Sequence, residues 1–225
     1  MIHIQHLNKS YGSKQILKDI ELKFETGKVY GIVGENGAGK STLFNCISGI
    51  EQYEGRIDSD ASPLKDRLGY LQTDPYFFPK ITGREYIQLL CNAREVPVAR
   101  MKEKNIFDLP LHQYASTYST GMKKKLALTA ILLQKNDYYI LDEPFNGVDI
   151  QSNIVITDIL KHLKTIGKTI LISSHIFSTL VEICDEIFVL KEGVIARKVS
   201  KEGFGALEQE MKQYLVGNKI ERLGL

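Results

Sequence analysis

Apolar and polar residues alternate from Ile2 to Leu7 and again from Ile16 to Phe24, where Ile16, Ile20, Leu22 and Phe24 form one face. A period of two puts successive side chains on opposite sides of a strand, so both segments read as half-buried strands, the first at an edge. Lys28 to Val33 is a short apolar strand that runs into a glycine-rich turn, and Ser41 to Ser48 reads as a helix. Leu68 to Leu71 is a further strand, ended by Gln72, after which Asp74-Pro75 and Phe78-Pro79 break the chain. The period then lengthens: Arg84 to Arg94, Val98 to Ile106 and Met122 to Leu133 are expected to be helical. From Asp137 onward strands (Asp137 to Leu141, Thr169 to Ser173, Glu186 to Leu190) alternate with helices (Asn153 to Lys164, Phe177 to Cys184), and Lys191-Glu192-Gly193 turns into a last strand, Val194 to Val199. Such alternation implies an α/β fold with a mostly parallel sheet. The N-terminal strands add an antiparallel β portion, and about residues 73–135 form a helical insertion subdomain.

The 225 residues suit one large domain or two tight ones, and 43% hydrophobic with 25% charged residues is ordinary globular usage. A net charge of +2 gives no global attraction to nucleic acid, and no nucleic-acid partner is expected. The apolar runs are far shorter than the roughly 20 residues of a membrane-spanning helix. The opening MIHIQHLNKS lacks a basic segment followed by an apolar core, so no secretory signal is expected. Cys46, Cys91 and Cys184 are far apart in sequence, form no CxxC motif and are expected to be buried core residues in a reducing cytosol.

The sharpest chemical feature is Gly34-Glu35-Asn36-Gly37-Ala38-Gly39-Lys40-Ser41-Thr42. It satisfies G-x-x-x-x-G-K-[ST], a pattern that arises by chance in about 1% of chains of this length. It also follows an expected strand and opens an expected helix. Glycines let successive N–H groups turn inward at phosphate oxygens, and the helix aims its positive end at the same place. Lys40 can reach the β- and γ-phosphates, and the Ser41 hydroxyl can ligate Mg²⁺. The segment Tyr138-Tyr139-Ile140-Leu141-Asp142-Glu143 is an apolar strand ending in two carboxylates, at the strand end where open α/β sheets bind ligands. Asp142 would hold Mg²⁺ directly or through water, and Glu143, facing another way, could act as general base on the attacking water. Gln72 and His175 follow strands that end at the same crevice. Gln72 could contact metal or water, and His175 could donate a hydrogen bond to a γ-phosphate.

In this order GENGAGKST, Gln72, YSTGMKKK from Tyr118, YYILDEP, NGVD to Asp149 and Ser174-His175 resemble the nucleotide-binding subunit of ATP-binding-cassette (ABC) transporters, along nearly the whole chain. The resemblance implies a phosphate-loop ATPase core that hydrolyses ATP with Mg²⁺. It implies a head-to-tail, ATP-dependent dimer, with itself or with a second cassette, in which the phosphate loop of one chain meets Ser119 and Gly121 of the other. Tyr11 would lie under the adenine, the alternative being a core tyrosine. Gln72 would sense the nucleotide, Asp149 would end the linker beyond Glu143, and the insertion would dock on transmembrane permease subunits, placing the chain in the cytoplasm at the inner face of the cell membrane.

Where the family signature usually reads L-S-G-G-Q, Tyr118, Thr120 and Met122 replace Leu, the first Gly and Gln, while Ser119 and Gly121 remain. Asn146 stands where the following linker usually has Ser. The tyrosine-led signature and Ser173-Ser174-His175 resemble exporters, and the short remainder after the last helix leaves no room for the regulatory domain of many sugar importers. The run Lys123 to Lys125 reads as a solvated helix face, with contact to lipid headgroups or an acidic partner as alternatives. A cassette ATPase with a non-transport role, a small-molecule kinase and a non-hydrolysing regulator are the competing readings. The last is opposed by Glu143.

Overall fold

The structure, a computed structural model, describes residues 1–61 and 63–216. Residues 217–225, expected to belong to the same domain, lie outside the described residues. In chain order the strands are β1 (Ile2–Tyr11), β2 (Lys14–Phe24), β3 (Val29–Val33), β4 (Glu54–Ser59), β5 (Leu68–Leu71), β6 (Tyr138–Asp142), β7 (Thr169–Ser173), β8 (Glu186–Lys191) and β9 (Val194–Ser200). The helices are α1 (Lys40–Ser48), α2 (Gly83–Asn92), α3 (Thr120–Leu133), α4 (Ile150–Thr165), α5 (Phe177–Ile183) and α6 (Phe204–Val216).

Two sheets organise these elements. One is antiparallel, with strand order β2-β1-β4, and the other has six strands in the order β5-β6-β7-β3-β8-β9. In the large sheet every pairing from β5 to β8 is parallel, and β9 returns antiparallel through the Glu192-Gly193 turn. The expected α/β fold with a mostly parallel sheet and an N-terminal antiparallel portion is what forms. Apart from the largely exposed edge strand β9, the large sheet is covered on both faces, and the pleat divides its residues. Val29 and Val33 of β3, with Tyr139, Leu141, Ile170 and Ile172, face a core shared with α3, α4 and α5. Tyr30 and Ile32, with Tyr138, Ile140 and Leu171, face a second core shared with α1, β1 and β2. All three cysteines are free and buried.

Helix ends follow local chemistry. Thr82 caps α2 in a reciprocal box: its hydroxyl accepts from the Glu85 N–H at 3.2 Å, and Glu85 accepts from the Thr82 N–H at 2.8 Å. Gly49, at φ 77°, ends α1.

The expected helix over Val98 to Ile106 does not form. Arg100 sits at φ 52° and Asp108 at φ 50°, and the bonds from Glu103 and Lys104 back to the Arg100 carbonyl make one turn that does not propagate. A single turn fixes several dihedrals for one bond, and this segment has too few buried side chains to offset that cost. Between β5 and β6 the described helices are therefore α2, α3 and a short 3₁₀ turn at Ala115–Thr117.

Candidate active site

β3 runs directly into the glycine-rich loop, and α1 begins at Lys40. Two glycines are required there for different reasons. Gly39, at φ 110°, adopts a backbone that side chains resist, and a Cβ on it would also lie 2.9 Å from Leu17 Cδ2. A Cβ on Gly34 would collide with the Leu190 carbonyl oxygen. The Lys40 ammonium lies across the loop, donating to the Gly34 carbonyl at 2.8 Å and the Glu35 carbonyl at 3.0 Å. Burial pushes the Lys40 pKa down, opposed by the charges of Glu143 and Asp142.

Asp142 ends β6 and is only 2% exposed. Three hydroxyls converge on its carboxylate. Ser41 Oγ donates to Oδ2 at 2.5 Å, Thr73 Oγ1 donates to the same oxygen at 2.7 Å, and Ser173 Oγ donates to Oδ1 at 2.5 Å. This is an all-oxygen, hard donor set, with Ser41 next to the loop lysine Lys40, and its chemistry fits a small divalent cation. Gln72, half-buried one residue past β5, adjoins this cluster through Thr73.

Glu143 is buried and sits at φ 53°. Its N–H donates to Ser173 Oγ at 3.0 Å, and its Oε2 accepts from the His175 backbone N–H at 3.1 Å. His175 Nε2 stands 3.2 Å from Glu143 Oε1 without hydrogen-bond alignment, so Oε1 is buried and has no hydrogen-bond partner among the described residues. A buried carboxylate oxygen without a hydrogen-bond partner, beside the hydroxyl cluster on Asp142 and the glycine-rich loop, is an arrangement suited to phosphoanhydride hydrolysis.

Tyr11 and the group Ser119, Gly121 and Asp149 fall into two other places. Tyr11 is 45% exposed at the end of β1, with the Lys9 ammonium 4.7 Å from its ring centroid, so it is not a core residue. Ser119 caps α3, its hydroxyl accepting from the Met122 N–H at 3.2 Å. Gly121 packs so closely that a Cβ would strike the Gly147 carbonyl oxygen. Asp149 caps α4 and pairs with Lys125 at 3.0 Å. Ser119, Gly121 and Asp149 thus form a second cluster where α3 meets the start of α4. Asn36, Gly37, Ala38 and Thr42 belong to the loop and the first turn of α1.

The lysine run is not a solvated face. Lys124 is 1% exposed and its Nζ donates to the Glu143 carbonyl at 2.6 Å, while Lys125 bonds Asp149 and Ser152 at 3.0 and 3.1 Å. The turn between β6 and α4 covers this face of α3, and only Lys123 avoids it. Thr73, Ser173 and Lys124 are the site residues that motif reasoning misses. Thr73 and Ser173 carry a positional signal, since both stand at the carboxyl ends of parallel strands neighbouring β6. Lys124 carries none.

Residues 17–146 match the family model described as ABC transporter. The bacitracin transport ATP-binding protein BcrA of Enterococcus faecalis is 31% identical over 216 residues, covering 89% of this chain and 69% of the relative. The lantibiotic transport ATP-binding protein SrtF of Streptococcus pyogenes is 30% identical over 233 residues, covering 97% of this chain and 99% of the relative. Among solved structures, a dimeric ATP-binding cassette in a post-hydrolysis state bound to ADP and Pi superposes with a TM-score of 0.81 at 20% identity, over 89% of this chain and 99% of that one.

Proposed function

Since the chain belongs to the ABC transporter family, as an ATP-hydrolysing subunit that powers transport, we propose a division of labour among its residues and an outward direction for the transport. The loop from Gly34 through Asn36, Gly37, Ala38, Gly39, Ser41 and Thr42 holds the phosphates, with Lys40 neutralising the β- and γ-phosphates. Bound Mg²⁺ supplies charge neutralisation between those phosphates, and Ser41, Asp142 and Gln72 would hold it. Glu143 takes the proton of the attacking water, His175 contacts the γ-phosphate, and Tyr11 stacks beneath the adenine. The observation that carries this reading is Glu143 Oε1, a buried carboxylate oxygen with no hydrogen-bond partner among the described residues, 3.2 Å from His175 Nε2.

Ser119 and Gly121 of a second cassette, identical or different, complete each site, and Asp149 lies at that seam. This reading treats 1–225 as one cassette with its insertion at about 73–135. Tyr76 and Phe78, exposed and packed edge to face at 5.4 Å, lie in that insertion, where transmembrane permease subunits would dock. No helix among the described residues is long and apolar enough to cross a membrane, which suits a chain held at the inner face by such partners. Relatives named for bacitracin and lantibiotic transport, together with the tyrosine-led signature, support export.

The test is Glu143→Gln. The swap keeps shape and removes the base, so turnover should fall by about 10²–10⁴-fold while ATP affinity holds. With ATP and Mg²⁺ the variant should elute as a dimer in size-exclusion chromatography, and adding Ser119→Arg should return it to a monomer. Wild-type turnover in Glu143→Gln would remove Glu143 as the base. An inactive variant that stays monomeric would remove the shared site.

A further inference from the structure

Lys124 lies in the second turn of α3, which Ser119 caps. Its ammonium is buried, yet among the described residues it forms no ion pair within 4.0 Å. Its hydrogen bond goes to a backbone carbonyl, that of Glu143, at 2.6 Å. Burying an ammonium without a paired carboxylate is costly, and an apolar side chain of similar length would fill the same space without that cost. Burial lowers the Lys124 pKa, while the more distant charges of Asp74, Glu143 and Asp142 pull it back up.

The carbonyl it holds is an unusual one. Glu143 occupies the left-handed backbone region, which side-chain-bearing residues resist and which persists only when the surroundings enforce it. Here the Glu143 peptide groups are held on both sides. Its N–H is anchored on Ser173 Oγ at 3.0 Å and its C=O on Lys124 Nζ at 2.6 Å. With both fixed, the Cα–Cβ direction is fixed, and the carboxylate reaches the His175 backbone N–H, which donates to Oε2 at 3.1 Å. A charge-assisted bond to the carbonyl is roughly twice as strong as a neutral one, which suits a strained turn.

We propose that Lys124 is a positioning residue for Glu143: its ammonium clamps the Glu143 carbonyl, enforces the left-handed turn and so aims the carboxylate that hydrolysis uses. The inference rests on the reading of Glu143 as the base. It also makes α3 a rigid connection, with Ser119 at its start and the hydrolytic carboxylate hung from its second turn. A shift of α3 would therefore reach Glu143 directly.

Lys124→Met keeps the length of the stem and removes the donor, and Lys124→Arg keeps charge and donors. Both are made in the full chain and in the Glu143→Gln background. Turnover is measured under single-turnover conditions, and ATP affinity by titration with a fluorescent analogue in Mg²⁺. Lys124→Met should keep affinity within about twofold and lower turnover about 10–100-fold, the scale of a slightly misplaced catalytic group. Lys124→Arg should recover most of the loss. In the Glu143→Gln background Lys124→Met should cost less than about twofold more, because residues acting as one unit are not additive. If Lys124→Met fails to fold, Lys124→Leu replaces it, with the same signs expected. Turnover within twofold of wild type in the folded variant overturns the proposal, as does an equal loss in both backgrounds. If Glu143→Gln itself turns over at the wild-type rate, the base reading fails and takes the proposal with it. An inactive Glu143→Gln beside an unaffected Lys124→Met overturns the proposal alone.

Discussion

Ser173 Oγ lies 2.5 Å from Asp142 Oδ1, and the two residues are register partners across the parallel pair β6 and β7. The same oxygen accepts the Glu143 N–H at 3.0 Å. A hydroxyl can donate once and accept, so a single side chain orients the carboxylate facing Ser41 and the backbone of the next residue together. The two acidic residues cannot be tuned independently while this serine links them.

Ser173→Ala should test that link. It leaves a buried N–H and a buried carboxylate oxygen each short of a partner, at a cost of about 1–3 kcal/mol in stability. Urea unfolding should show a lower midpoint at unchanged slope. Turnover should fall about tenfold or more from lost orientation, with ATP affinity little changed.

Lys40→Ala removes the ammonium that lies 2.8 Å from the Gly34 carbonyl and 3.0 Å from that of Glu35. Backbone N–H groups alone cannot offset the charge of a triphosphate, so binding of a fluorescent ATP analogue or its hydrolysis should be lost. Unchanged affinity together with unchanged turnover would refute the phosphate-loop assignment.

Gly121→Ala puts a methyl group against the Gly147 carbonyl oxygen, where backbone must move. An overpacking cost of about 1–3 kcal/mol is expected. Because the damage lies away from the phosphate loop, ATP affinity of the monomer should hold. The ATP-dependent dimer of Glu143→Gln should weaken when Gly121→Ala is added. A dimer that persists would show that the packing of Gly121 on Gly147 does not shape the seam.

Asp149 supplies an acid-sensitive contribution to stability. Bonds from the Ser152 N–H, the Lys125 ammonium and the Ser152 hydroxyl hold its carboxyl below the ordinary 3.8. A carboxyl depressed in the folded state stabilises above its unfolded pKa, and the contribution disappears as pH falls through the folded value. Asn is also a good helix cap, so Asp149→Asn should keep the start of α4 while removing the titration. Wild type should be more stable than the variant at neutral pH, and the gap should shrink below about pH 4. A constant gap across that range would exclude the linkage.

What could be foreseen from sequence follows physical range. The phosphate loop was legible because its function needs contiguous residues, and the strands of the large sheet because their apolar runs are bounded by turns. β4 was not, since its half-buried segment Glu54-Gly55-Arg56-Ile57-Asp58-Ser59 offers a single aliphatic side chain and owes its extended form to pairing with β1. The helix expected at Val98 to Ile106 failed because a periodic pattern does not report that Arg100 turns left-handed. Lys124 was hidden for a different reason. Its partner is a backbone carbonyl, and a carbonyl has no letter in the sequence. Three adjacent lysines look alike until the chain between β6 and α4 covers two of them.

Among the described residues β3, the strand that feeds the phosphate loop, pairs with β7 and β8 alone. The loop itself is shaped by Leu17 beneath Gly39 and by the Leu190 carbonyl against Gly34. During synthesis Leu17 precedes the motif, but β7, β8 and the Leu190 carbonyl are made long after it. A nascent chain that has emerged as far as α4 carries the whole glycine-rich loop, Asp142 and Glu143, but neither strand that borders β3. Contacts of such wide sequence separation form late and slowly. Competence to bind nucleotide should therefore await the synthesis of β7 and β8, so a nascent chain that lacks them would not engage ATP.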